Sequence, residues 1–99
     1  MIVVRNVFQL KFGKAREAVA AMKESMAIQK RLGVDVNPRL LTDLTGPFYT
    51  LVLELTHPSL ADMEPMMSKV MADKDFHASY EKFSALVESG HREIFRVVE

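Results

Sequence analysis

Ninety-nine residues with 13 basic and 13 acidic side chains carry no net charge, so nothing biases the chain toward nucleic acid or an anionic membrane surface. The absence of cysteine excludes disulfides, thiolate nucleophiles and Cys-ligated metal sites. An apolar share of 48% and a charged share of 26% are those of a folded chain; with no apolar run of membrane-spanning length and no signal-peptide layout, a single cytoplasmic domain over residues 1–99 is expected.

Residues 2–12 read as the first strand. Val4, Asn6, Phe8, Leu10 and Phe12 share one face, Val3, Arg5, Val7, Gln9 and Lys11 share the other, and Gly13 ends it. Residues 14–32 read as a helix, with Ala15, Ala18, Val19, Met22, Met26, Gln29 and Leu32 at three- and four-residue spacing. Lys30 and Arg31 complement the dipole in its last turn, and Gly33 suits the position just past its end.

Residues 39–57 read as a long antiparallel hairpin. Tyr49, Leu51, Leu53 and Leu55 alternate with Thr50, Val52, Glu54 and Thr56, and Gly46-Pro47 has the composition of a primed turn. Pro58 stops that strand, and Ser59 with Asp62 forms a capping-box-like start for a helix over residues 60–71 that Pro65 should kink or restart. Asp73 or Asp75 caps a further helix expected to run to Ser89, with Phe76, Tyr80, Phe83 and Val87 as its stripe and Gly90 as its end. Residues 91–98 form the last strand.

The order β-α-β-β-α-β predicts an α+β, ferredoxin-like fold: a four-stranded antiparallel sheet with helices on one face. On the other face Arg5, Val7, Gln9, Thr50, Val52, Glu54, Ile94 and Val98 mix apolar bulk with charge. A second copy packed sheet against sheet would bury that bulk, with Glu54 paired to Arg5, Arg92 or Arg96. A homodimer is therefore expected.

Arg39-Leu40-Leu41, the strand over residues 51–55, Pro58-Ser59-Leu60-Ala61-Asp62, Asp75-Phe76, Phe83 and Arg92-Glu93-Ile94 resemble the dimeric α+β barrel superfamily, and within it the NIPSNAP-like proteins. The resemblance implies two ferredoxin-like subunits closing one barrel. Its activities range from cofactor-free monooxygenases and heme degraders to members of no known activity, so it transfers little chemistry. Asn6 matches the strand-one Asn of heme-degrading relatives, seven residues before Gly13. The chain has no Trp, with Met63 as the nearest substitute, and Tyr80 stands where those enzymes place a His. These departures argue against heme breakdown, and no cofactor is expected.

The candidate site is a soft, mostly apolar cleft between sheet and helices. Asn6, Phe8, Met22, Met26, Tyr49, Met63, Met67 and Phe83 are its candidate ligand-binding residues, since flexible thioethers adapt to apolar guests. His77 and Tyr80 are the candidate catalytic pair, His77 as a base near neutral pH and Tyr80 as an orienting group. His57 and His91 sit at element boundaries, where solvation is the expected state. Either a small apolar or aromatic molecule is bound, or oxidised without a cofactor, or the chain is a non-catalytic sensing or interaction dimer with His77 in solvent. No metal pair, nucleophile elbow or phosphate loop is present.

Overall fold

β-Branched side chains at Ile2, Val3, Val4 and Val7 favour extended backbone. The computed structural model, which describes residues 1–99, places strand β1 over Ile2–Leu10 in the interior of the sheet. Helix α1 follows over Ala15–Arg31. It ends in a Schellman motif: Gly33, at φ 78°, donates to the Lys30 carbonyl and Val34 donates to that of Gln29, both at 3.0 Å. Strands β2 (Arg39–Thr42) and β3 (Thr50–His57) come next, then helices α2 (Leu60–Met71) and α3 (Lys74–Ser84), and strand β4 (Val87–Arg96).

The sheet runs β2-β3-β1-β4 with every pairing antiparallel. Along β3, Leu51, Leu53 and Leu55 are buried while Val52, Glu54 and Thr56 are half-buried, as period-2 alternation requires. The helices cover the leucine face. Their approach is close because Ala18, Ala21 and Ser25 on α1 meet Ser79 on α3, whose hydroxyl lies 2.7 Å from that of Ser25. Each buried hydroxyl thereby gains a partner without a bulky side chain between the helices.

Several sequence expectations need correction. The β2–β3 connection is no tight two-residue turn: residues 43–49 form a loop, because the Asp43 carboxylate accepts the Thr50 amide at 2.9 Å and so ends the ladder. Gly46 does take the expected positive φ, at 103°, but so does Tyr49, at 58°. The Tyr49 carbonyl is anchored to β1 by the Leu10 amide at 2.9 Å. Pro65 neither breaks nor restarts α2, which runs through it. The bond it removes belongs to the carbonyl of Ala61, one turn back, and both residues face solvent, where water replaces it. Asp73 is the cap of α3, accepting from the Phe76 amide at 3.0 Å.

The C-terminal region departs furthest. Helix α3 stops at Ser84, not Ser89, and Val87 and Gly90 belong to β4. Within β4, Arg92 and Ile94 pair with Asn6 and Val4 on the helix-covered face, so Glu93 and Phe95 occupy the outer one. The expected parity of Ile94 is thus reversed, and Glu54 pairs with Arg5 and Arg39, at 3.9 and 3.8 Å, in place of Arg92 or Arg96. His57 is also not solvated. It is 2% exposed at the end of β3, with neither ring nitrogen hydrogen-bonded.

Candidate functional site

The helices lie over β3 and β1 and leave β4 bare, exposed at eight of its ten residues. Between the uncovered inner face of β4 and the flank of α2 and α3 opens a cavity of about 560 Å³, within the range of small-molecule sites. Twelve of its 19 lining residues are hydrophobic, so its bulk favours an apolar guest. Met66, Met67 and Met71 come from α2, Phe76 and Tyr80 from α3.

Gly90 makes the floor. A Cβ there would lie 3.1 Å from the Phe8 ring and 3.2 Å from the Val7 carbonyl, so glycine lets Phe8 spread across β4 without displacing either. Phe8 then meets Phe83 edge-on at 4.9 Å, tying the floor to the core. At the mouth, Tyr80 stacks on Phe76 with ring centres 6.0 Å apart and remains 43% exposed. On the sheet, the Arg92 Nε–H donates to Asn6 Oδ1 at 2.8 Å.

Of the residues singled out from the sequence, Asn6, Phe8, Met22, Met67 and Tyr80 line this cavity together. Phe83 is core beneath it, 1% exposed, and Met26 and Met63 pack against that core without reaching the cavity. Tyr49 lies in a second, more open depression with Phe48 and the start of α1. His77 is outside too: its ring is exposed and its Nδ1 stands 3.6 Å from Glu81, one turn on along α3.

Arg92 and Gly90 were missed as site residues. Gly90 read as a helix end because the stripe of α3 continues in sequence through Val87. The sequence leaves the face of Arg92 undetermined, because polar and apolar residues do not alternate over residues 92–97, and the structure turns it inward opposite Asn6. The signal available was Asn6, a polar residue on an apolar strand face that needs a partner once buried.

Burial holds the His57 pKa below its ordinary value of 6.5, the nearby Asp62 carboxylate opposing only in part. Asp73 is held below 3.8, chiefly by the Phe76 amide and then by Arg31, whose guanidinium lies 3.2 Å away. No group of three or more His, Asp or Glu side chains is placed to hold a metal, and no helix is long and apolar enough to cross a membrane.

Element order and strand order define a ferredoxin-like α+β fold. No protein-family model matches the chain, and neither does any curated protein sequence. Solved structures do. A NIPSNAP family protein from Agrobacterium tumefaciens superposes with a TM-score of 0.89 at 22% identity, over 99% of this chain and 93% of that one. A NIPSNAP domain protein from Burkholderia xenovorans gives 0.87 at 15% identity, over 99% and 95%. SnoaB, a cofactor-independent oxygenase from Streptomyces nogalater, gives 0.71 at 16% identity, over 99% and 93%. At these identities what is shared is the fold.

Proposed function

We propose that the chain works as a homodimer, each subunit binding a small apolar or aromatic molecule in the cavity between β4 and helices α2 and α3. The observation that carries the binding half is a 560 Å³ space with a mostly hydrophobic lining and a minority of polar groups, among them the hydrogen-bonded pair Asn6 and Arg92. Such a division, apolar bulk with few directional groups, is how small-molecule sites obtain affinity and orientation at once.

The dimer half is supported by the outer face of the sheet. Arg39, Glu54, Arg5 and Glu93 lie in register across all four strands, the neighbours 3.8, 3.9 and 4.0 Å apart. An alternating row of four charges is complementary to its own reverse, so a copy turned about a twofold axis along the strands sets each charge against its opposite. Apolar rows flank it, Leu41, Val52 and Val7 on one side and Val3 with Phe95 on the other. Arg5 Nε is already buried without a hydrogen-bond acceptor, a state that a partner carboxylate would relieve.

A second reading, oxidation of the guest by O₂ without a cofactor, draws support from the fold shared with SnoaB. It needs a base: His77 is exposed and outside the cavity, and the histidine that lines it, His91, has its Nε2 3.6 Å from Glu93 on the outer face. Binding requires none, and the geometry favours it. The test is titration of N-phenyl-1-naphthylamine, a neutral dye that brightens in apolar sites, against wild type and Met66→Trp, which sets an indole in the cavity. Saturable binding to wild type, lost in Met66→Trp with circular dichroism unchanged and kept in His77→Ala, is the expected result. Equal binding by the filled variant overturns the assignment.

A further inference from the structure

Among the 19 residues around the cavity there is no aspartate or glutamate, and Arg92 brings the one permanent positive charge. Two of the other three arginines on the sheet are matched by acids, Arg5 by Glu54 and Glu93 and Arg39 by Glu54, while Arg96, at the end of β4 and outside the cavity lining, is unpaired. Arg92 has no carboxylate within 4.0 Å. Its single side-chain bond is the one from Nε to Asn6, which fixes the direction of the guanidinium and leaves both terminal nitrogens free to donate.

That bond also settles the orientation of Asn6. Arginine has no acceptor, so the amide oxygen must face Arg92 and the amide NH₂ points elsewhere, as a further donor. Tyr80 adds a hydroxyl on the facing helix. The lining of an apolar space thus carries a fixed cation with a donor beside it, and no acid to satisfy them.

We infer that the guest is an amphiphilic carboxylate: an apolar or aromatic body seated among the methionines and phenylalanines, with its carboxylate on the Arg92 guanidinium. This rests on the cavity being a binding site, as proposed above. A planar guanidinium held at Nε presents paired N–H groups with the spacing of two carboxylate oxygens. A cationic or neutral guest would leave those donors and the charge without an answer when it covered them.

A pair of dyes separates this inference from the reading beneath it. 1-Anilinonaphthalene-8-sulfonate and N-phenyl-1-naphthylamine share one ring system and differ by an oxyanion. Arg92→Gln, a change on the exposed strand, should weaken the sulfonate dye about tenfold, as loss of one charge-assisted contact does, and leave the neutral dye within about twofold. Arg92→Lys should restore part of the loss. In competition, 2-naphthoate should displace dye from wild type about tenfold more effectively than from Arg92→Gln, while 2-naphthamide should not distinguish them. If Arg92→Gln left the sulfonate dye and 2-naphthoate as tight as before while Met66→Trp abolished neutral-dye binding, the cavity would stand and the carboxylate would fall. Dye bound equally by Met66→Trp, or by neither protein, would remove both. Sulfonate binding that falls in Arg92→Gln without displacement by 2-naphthoate would overturn the carboxylate in favour of another oxyanion.

Discussion

His57→Leu is expected to stabilise the protein, and increasingly so as the solution is made acidic. The ring is 2% exposed and neither nitrogen has a partner, so the folded state holds an unsatisfied buried polar group, a cost of about 1–3 kcal/mol. Leucine has a similar volume and no polar atom to desolvate. The pH term follows from burial, which lowers the folded pKa below 6.5. Below 6.5 the unfolded chain takes up a proton that the folded chain refuses, so stability falls as pH drops from there toward the folded pKa, then levels off. For one proton the slope cannot exceed about 1.4 kcal/mol per pH unit.

Urea denaturation of wild type and His57→Leu between about pH 5 and about pH 8 measures this directly, because every other titrating group cancels in the difference. The difference should be flat above 6.5 and open progressively below it. Each kcal/mol should move the melting temperature by about 4–8 °C in a domain of this size. Parallel curves, or a leucine variant less stable than wild type at the acid end, would refute the assignment of His57 as a buried neutral ring.

Val7→Asp puts a carboxylate at the centre of the outer face, opposite Val52, and should convert the proposed dimer to monomer by light scattering at micromolar concentration. A wild type already monomeric there would refute the dimer itself. Phe83→Ala empties the site under Phe8 and should cost about 3–5 kcal/mol in urea denaturation, a large part of the about 5–15 kcal/mol available to a domain. A loss under about 1 kcal/mol would show the core able to collapse around the change. Asp73→Asn removes a carboxylate whose pKa folding has lowered, a contribution present above 3.8 and lost as pH falls through the folded value. The variant should therefore melt below wild type at neutral pH, and the gap should close well below pH 3.8.

Legibility followed how each element announces itself. Helix α1 was plain because its apolar positions, its basic last turn and Gly33 all agree, and the structure matches to within a residue at each end. Strand β3 was equally plain, Leu51, Leu53 and Leu55 alternating with smaller or polar residues. What failed was decided by single side-chain contacts that no pattern encodes. Asp43 closes the hairpin ladder early, and Pro65 survives because its missing bond faces water. His57 is buried where α2 folds back against the end of β3, a tertiary event with no local trace. The methionines divide in the same way: Met26 and Met63 pack against the core alone, Met22 and Met66 belong to or pack against the core and also line the cavity, and Met67 lines the cavity, although all sit at helical spacing.

The parity of β4 ties the two proposals together. With Arg92 bonded to Asn6 on the inner face, Glu93 must face outward beside Arg5, since successive side chains of a strand alternate. A one-residue slip would bring an acid into the apolar cavity, expel its cation, and leave the outer row one acid short. Gly90 opposes the slip as well. It sits opposite Phe8, where a Cβ on its backbone would lie 3.1 Å from the ring, and its neighbours Ser89 and His91 each carry one. A glycine in mid-strand weakens the strand by itself, yet here it selects the register that gives the cavity its charge and the outer face its self-complementary row.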